Sequence, residues 1–112
     1  MNKLAIAYSD DYLGWRLGSG DGSHPTKPER AQIAVQLLTQ ELPANSFEVI
    51  EPIVLDGDRS KLETIHTAEY VSQVLDLGRS GEWVGSKPEL GQIAFQMFAG
   101  TARLVELIAA GE

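Results

Sequence analysis

The sequence predicts an α/β domain over residues 1–112, with about two short strands and three to four helices. Two apolar runs, Lys3 to Tyr8 and Phe47 to Ile50, have the length and composition of strands. Several stretches have apolar residues at helical spacing and follow helix-start signals. The longest of these stretches extends from about Glu89 to Ala110. Strands and helices mixed in a chain of this length indicate one α/β core.

The first strand is expected to lead into an irregular loop and then a helix. The apolar run ends at Ser9-Asp10-Asp11, and glycines 14, 18, 20 and 22 follow. Glycine at this density favours irregular backbone. Thr26-Lys27-Pro28-Glu29 then places a capping threonine three residues before a glutamate, which predicts a helix that continues to about Leu42.

The middle of the chain predicts a strand, a turn and short helical pieces. The segment Phe47 to Leu55 has strand-forming residues but contains Pro52, so a strand is expected only over Phe47 to Ile50, with an irregular continuation. Asp56-Gly57-Asp58 predicts a turn, and a single helical turn is expected around residues 62–65. Thr67 is placed to cap a further helix that Gly78 ends.

The last predicted helix follows Ser86-Lys87-Pro88-Glu89, which repeats the earlier capping pattern. Its polar residues fall within a stripe only about 80° wide. They are Gln92, Gln96, Arg103 and Glu106. So much apolar surface requires protein around most of the helix, more than the rest of this chain can supply. We therefore expect an interaction surface that includes Phe95, Phe98, Leu104 and Ile108.

The composition excludes several classes of protein. The chain has 16 acidic and 9 basic residues, a net charge of −7 and no cysteine. An acidic protein repels phosphate backbones, so no nucleic-acid binding is expected. No apolar run is long enough for a membrane span or a signal peptide, which predicts a cytoplasmic protein that does not enter a membrane. Without cysteine there is no thiolate zinc site and no cysteine nucleophile.

No stretch of the sequence carries a complete catalytic or metal-binding motif. His24 and His66 lack partners at metal-binding spacing, and a structural role is favoured for each. The glycine-rich stretch has neither a phosphate-binding loop nor a complete dinucleotide fingerprint. The segment that begins at Asp56 opens like a calcium loop but has Lys61 and Thr67 where glycine and glutamate are required. We expect no catalytic residues and no metal ligands in this chain.

Two further features have ordinary structural interpretations. Asp10 and Asp11 could form a carboxylate pair, but neighbours after a strand point in different directions and more often form a solvated turn. Trp15 and Trp83, both in predicted loops, are more typical of lids on a core than of ligand platforms.

Three segments together resemble the first part of the histone deacetylase and acetoin-utilisation deacetylase superfamily. YSDDYLGWRLGSGDGSHPTKPERA is similar to the family's opening strand, loop and His-Pro-x-x-Pro-x-Arg element. IHTAEYVSQV resembles its His-x-x-x-Tyr-Val helix, and AFQMFAGTARLVELIAAGE resembles the long helix before its catalytic half. Their order and spacing agree across nearly the whole chain.

The resemblance implies a small, three-layer-like fragment of the arginase/deacetylase fold, with a short parallel sheet. Members of the family use zinc to hydrolyse acetyl-lysine or acetylpolyamine amides. The family's Gly-His-His segment and Asp-x-Asp-x-His zinc motif have no counterpart in these 112 residues. We therefore expect no cofactor in this chain, and zinc only if a separate catalytic half completes it.

The resemblance also assigns positions in this sequence. Tyr8 and Arg30 match positions that border the family's internal channel, and Asp11 and Trp15 match the channel or the substrate entrance. For Arg30, a helix-surface or capping role is an equally good interpretation. His24-Pro25 matches residues that shape the loop.

Three functional hypotheses follow. The first is a non-catalytic, deacetylase-like N-terminal domain that acts through self-association or by binding another protein. The second is one half of a zinc-dependent deacetylase, completed by a chain or segment that carries the zinc ligands. The third is a divergent small enzyme that uses the glycine-rich loop with Asp10, Asp11 or His24.

Overall fold

A computed structural model describes residues 3–15, 27–80 and 86–111 of the chain. In these ranges it has two strands, a 3-10 helix over Asp10–Gly14 and four α-helices. The strands are β1 (Leu4–Ala7) and β2 (Phe47–Ile50). The α-helices are α1 (Glu29–Glu41), α2 (Asp58–Leu62), α3 (Ala68–Leu75) and α4 (Pro88–Ala109). The predicted α/β class is confirmed.

The two strands form a parallel sheet. Leu4 pairs with Phe47 at one end and Ala7 with Ile50 at the other. A parallel pair requires a crossover connection, and α1 lies within that connection. The short parallel sheet expected from the family resemblance is therefore present. Because β1 and β2 point the same way, their carboxyl ends meet at one edge of the sheet.

The two faces of the sheet have different neighbours. A Cβ placed on Gly100 of α4 would lie 3.0 Å from the Cβ of Ala7, so this face packs closely against α4. Side chains alternate along a strand, so the opposite face carries Leu4, Ile6, Phe47 and Val49. Leu4 is 50% exposed and Val49 is 44% exposed. That face is apolar and only partly covered.

One of the predicted helix caps differs from what forms. The predicted cap residue of α1, Thr26, lies outside the described residues, and Pro28 directly precedes the helix without a side-chain hydrogen bond. Ser86 does not cap α4, because its hydroxyl donates to the carbonyl oxygen of Leu77. Lys87 takes the cap position of α4, again without a side-chain hydrogen bond. The predicted cap at Thr67 is confirmed, since its hydroxyl accepts a hydrogen bond from the Tyr70 amide at 3.1 Å.

The turn after β2 leads directly into helix α2. This helix begins at Asp58, before the single helical turn that the sequence predicts around residues 62–65. Gly57 adopts a left-handed conformation with φ of 94°, which glycine reaches without steric cost. The chain therefore reverses at Gly57, and the helix begins at Asp58.

Helix α4 has 22 residues and contacts the sheet, the 3-10 helix and α3. A Cβ on Gly91 would lie 2.1 Å from the Val74 carbonyl oxygen, so α3 approaches α4 closely at this point. None of the helices in the described ranges is long and apolar enough to cross a membrane.

The hydrophobic core is small for a chain of this length. Its buried apolar residues in the described ranges are Tyr12, Val71, Leu75, Leu90, Ile93 and Ala99. The Cα radius of gyration is 15.8 Å, whereas about 13 Å is typical of a compact domain this long. The molecule is a slab with extents of 45 × 35 × 16 Å.

Candidate functional site

The carboxyl end of β1 continues into the 3-10 helix and brings polar groups to that edge of the sheet. The Ser9 hydroxyl accepts a hydrogen bond from the Asp11 amide at 3.1 Å and caps this helix. The Tyr8 hydroxyl donates to Oδ1 of Asp10 at 3.1 Å. Partial burial raises the pKa of Tyr8, and the adjacent Asp10 carboxylate raises it further. Asp10 and Asp11 are exposed, as a solvated turn predicts, but they lie in a 3-10 helix.

An open groove of about 490 Å³ lies beside the carboxyl ends of both strands. Asp11 and Glu51 supply carboxylates to it, and Gln92 and Gln96 supply amides from α4. The Gln96 amide donates to Oδ2 of Asp11 at 3.0 Å, which ties the 3-10 helix to α4. Ligand sites of open α/β sheets lie at the carboxyl ends of their strands, so this groove has the position of such a site.

A second groove, of about 260 Å³, brings two of the sequence-predicted residues together. Trp15 and Arg30 both line it, with Met97 of α4 on the other side. Tyr8, which directly follows β1, makes an edge-on ring contact with Tyr12 at 5.6 Å between centroids. Four positions assigned by resemblance, Tyr8, Asp11, Trp15 and Arg30, thus lie around or beside Tyr12. His24 and Pro25 lie outside the described residues.

Tyr12 is the residue of this region that sequence reasoning missed. It is 9% exposed and lines the second groove. Burial raises the pKa of its phenol, and the nearby Glu51 carboxylate adds to that effect. An aromatic residue directly after two aspartates is a weak signal, because nothing in the sequence indicates that a 3-10 helix turns it inward.

A buried ion pair joins α2 to α4. The Arg103 guanidinium donates to Oδ2 of Asp58 at 2.9 Å and to Oδ1 at 2.8 Å. It also donates to the Ile53 carbonyl oxygen at 2.8 Å and to both carboxylate oxygens of Glu106. The Leu55 amide donates to Oδ2 of Asp58 at 2.9 Å. The buried carboxylate is therefore fully compensated by hydrogen bonds.

This pairing shifts the pKa of both groups. Hydrogen bonds from Arg103 lower the pKa of Asp58 to about 2, although burial acts in the opposite direction. Hydrogen bonds to Asp58 and Glu106 raise the pKa of Arg103. Asp58 has no exposed surface and Arg103 is 12% exposed. The pair therefore fixes the backbone after β2 against α4.

Three residues of the polar stripe of α4 bind other segments of the chain, although Gln92 itself is exposed, as is the fourth residue, Glu106. The Gln92 amide donates to the Leu75 carbonyl oxygen at 2.8 Å, Gln96 contacts Asp11, and Arg103 contacts Asp58. These polar residues satisfy groups on α3, the 3-10 helix and α2. Part of the apolar circumference of α4 is consequently left facing outward.

The four residues predicted as an interaction surface do not share one face of α4. At about 100° per residue, Phe95 and Leu104 point in opposite directions. Both are half-buried, as is Phe98, whereas Ile108 is 74% exposed. Phe95 and Phe98 line a groove of about 150 Å³ between α3 and α4.

One side of α4 is partly uncovered, and we call it the open side of α4. It consists of Ala94, Phe98, Thr101, Val105 and Ile108, which lie within about 80° of one another around the helix. Ala94 and Phe98 are half-buried, Thr101 is exposed, and Val105 is 57% exposed. Exposure therefore increases toward the carboxyl end of the helix.

The described residues do not offer a ligand set for the zinc ion that the family resemblance implies. No three histidine, aspartate or glutamate side chains in residues 3–15, 27–80 and 86–111 lie close enough together to hold a metal. His66 is exposed and its ring lies 5.4 Å from that of Tyr70.

Comparison with known protein families, curated proteins and solved structures gives no match to this chain.

Proposed function

We propose that this chain is a deacetylase-like N-terminal region that functions by binding protein through the open side of α4, and that it does not carry out chemistry alone. The observation that carries this proposal is the exposure of Val105 and Ile108 on a helix whose Gln96 and Arg103 side chains bind the 3-10 helix and α2. An apolar side of this kind is typical of a surface that another protein covers.

A second apolar surface supports the same proposal. On the sheet face away from α4, Leu4 is 50% exposed and Val49 is 44% exposed. Exposed apolar surface is typical of sites that another protein covers.

The proposal can be tested by photocrosslinking. A benzophenone amino acid at position 105 is expected to form a covalent adduct of discrete mass with a binding protein in a cell extract. The same group at position 36, on the exposed side of α1, is the matched control. Adding Ile108→Glu should abolish the adduct at 105, because a charge enters the apolar contact. Equal adduct formation at positions 36 and 105 would contradict the proposal.

A second candidate function is one half of a zinc-dependent deacetylase. It is favoured by the two grooves near the carboxyl ends of the strands, where Asp11, Trp15 and Arg30 lie. In this proposal Trp15 and Arg30 form one wall of a substrate entrance, and another polypeptide segment supplies every zinc ligand. The bound zinc would activate a water for amide hydrolysis.

This second candidate is tested by reconstitution. The chain is mixed with a polypeptide that carries the Asp-x-Asp-x-His motif, and hydrolysis of an acetyl-lysine peptide is measured. The candidate predicts activity that needs both chains, is lost with a chelator, and shows a raised KM in Trp15→Ala. Activity of the zinc-bearing polypeptide that is the same with and without this chain would exclude it.

A further inference from the structure

The second groove has an apolar and aromatic interior. Tyr12 of the 3-10 helix, Trp15 at the carboxyl end of that helix and Met97 of α4 all line it. Tyr12 is 9% exposed, and Trp15 and Met97 are half-buried. Because the 3-10 helix packs against α4, these side chains have fixed positions relative to one another.

The same groove carries two positive charges. Lys27 directly precedes Pro28, and Arg30 lies in the first turn of α1. Both residues line the groove, where Lys27 is half-buried and Arg30 is exposed. Among the residues that the structure describes, no aspartate or glutamate lines this groove. The groove is therefore locally basic, although the chain has a net charge of −7.

Neither of these charges is neutralised by an ion pair in the described part of the chain. Arg59, Lys61 and Arg103 each pair with a carboxylate. Lys27 and Arg30 form no ion pair with any carboxylate that the structure describes. Beside a partly dehydrated apolar surface, a cation attracts an anion more strongly than it does in bulk water. Both cations are therefore available to an anionic ligand.

The volume of the groove limits the size of its occupant. An apolar cavity of about 150 Å³ holds a molecule of benzene, and this groove measures about 260 Å³. It has room for one aromatic ring and a short acidic group. Sites for small molecules have this character, since an apolar lining supplies most of the contact and a few polar groups fix the orientation of the ligand.

We propose that the second groove binds a small aromatic monocarboxylate. Aromatic rings pack favourably against one another, so Tyr12 and Trp15 contact the ring of the ligand. The planar guanidinium of Arg30 matches the two carboxylate oxygens through parallel hydrogen bonds. Lys27 supplies a second positive charge beside them. This binding site is separate from the proposed protein-binding function, which uses the open side of α4.

The ligand class is tested by ligand-observed NMR with phenylacetate as the probe. Phenylacetate is expected to bind saturably at millimolar concentration or below. Phenylacetamide has the same ring without the charge, and acetate has the charge without the ring. Each should bind about tenfold more weakly, because each lacks one of the two interactions.

The outcomes that overturn the proposal follow from these comparisons. Equal binding of phenylacetamide would show that the cations have no role, and equal binding of acetate would show that the aromatic surface has none. Phenyl phosphate that binds more tightly than phenylacetate would overturn the assignment of a carboxylate. Absence of saturable binding of phenylacetate at millimolar concentration would overturn the proposal as a whole.

Substitutions test whether the probe occupies this groove. Arg30→Met and Lys27→Met should each raise the dissociation constant of phenylacetate about tenfold, since each removes a charged contact. Arg30→Lys keeps the charge without the planar donor pair and should have an intermediate affinity. Arg79→Met, at an exposed arginine that lines a different groove, is the matched control and should leave the constant unchanged. Equal effects of Arg30→Met and Arg79→Met would overturn the proposal.

Trp15 provides a direct measurement of the position of the probe. The chain has two tryptophans, so Trp83→Phe leaves Trp15 as the only indole. The indole N–H resonance of Trp15 should shift when phenylacetate is added, with the same dissociation constant as the signal of the ligand. Saturable binding that leaves this resonance unchanged would place the probe outside the second groove and overturn the proposal.

Discussion

Arg103 and Asp58, which are 45 positions apart in the chain, pair through two hydrogen bonds at 2.8 and 2.9 Å, with the carboxylate wholly inside the protein. The same guanidinium reaches the Ile53 carbonyl oxygen and the Glu106 carboxylate. The Arg103 side chain therefore joins three segments: the backbone that follows β2, the start of α2 and the carboxyl-terminal half of α4.

Removing the arginine should be strongly destabilising. Arg103→Met leaves the Asp58 carboxylate buried without its partner, which costs about 3–5 kcal/mol of unfolding free energy. Arg59→Met removes an ion pair with Asp76 in which both side chains are more than 40% exposed, and should cost far less, because water screens the two charges. Urea unfolding of the two variants measures both values. Equal losses would show that burial of the pair has no energetic role.

Acid should weaken the fold through Asp58. Its pKa is lowered from 3.8 to about 2, so its contribution to stability is complete above the pKa of the unfolded chain and is lost as pH falls toward about 2. Urea midpoints measured from pH 6 to pH 2.5 should therefore decrease on the acid side. Asp76→Asn should retain most of this decrease, because Asp76 is exposed. In Arg103→Met the decrease should disappear, since protonation then relieves an unpaired buried charge.

The close contact of α3 with α4 should make Gly91 intolerant of a side chain. An added Cβ would lie 2.1 Å from the Val74 carbonyl oxygen, so Gly91→Ala should cost about 1–3 kcal/mol through overpacking. At Gly100 the nearest atoms are 3.0 Å or more away, and the gain in helix propensity of about 1 kcal/mol offsets the strain. Thermal unfolding of both variants tests this difference, and a larger loss for Gly100→Ala would contradict the helix packing described.

The cap of α3 should contribute measurably to stability. Thr67→Ala removes the hydroxyl that accepts from the Tyr70 amide and should cost about 0.5–2 kcal/mol. Thr67→Ser keeps that hydroxyl and should restore most of the loss. The exposed Thr39, whose hydroxyl donates to the Val35 carbonyl oxygen within α1, is the matched site. Thr39→Ala should change the unfolding free energy by less than about 0.5 kcal/mol.

Local patterns were sufficient to predict most of the secondary structure. Both strands and the helices beginning near Glu29, Ala68 and Pro88 are present, because apolar periodicity and turn residues act over a few positions. The predicted cap at Ser86 is wrong, although the helix itself is present, because the Ser86 hydroxyl donates to the Leu77 carbonyl oxygen, nine positions earlier. A capping pattern in the sequence does not indicate that the tertiary fold will bring another hydrogen-bond acceptor close to the serine hydroxyl.

The site was harder to predict than the secondary structure. The position of Trp15 beside Arg30 was suggested only by the family resemblance, whereas the Asp58–Arg103 pair was missed. Asp58 had been interpreted as part of a turn and Arg103 as part of a polar stripe. Each interpretation is locally correct, but only the path of the chain brings the two side chains together. The exposure of Val105 and Ile108 likewise depends on which side of α4 the sheet occupies.

The packing of Ala7 against Gly100, and of Asp11 against Gln96, joins the beginning of the described chain to its last helix. During synthesis the chain emerges from its amino terminus at about 5–20 residues per second. For the several seconds between the synthesis of β1 and that of α4, the face of the sheet that carries Ala7 therefore has no helix on which to pack. The nascent protein must remain free of aggregation through this interval with that face still exposed to water.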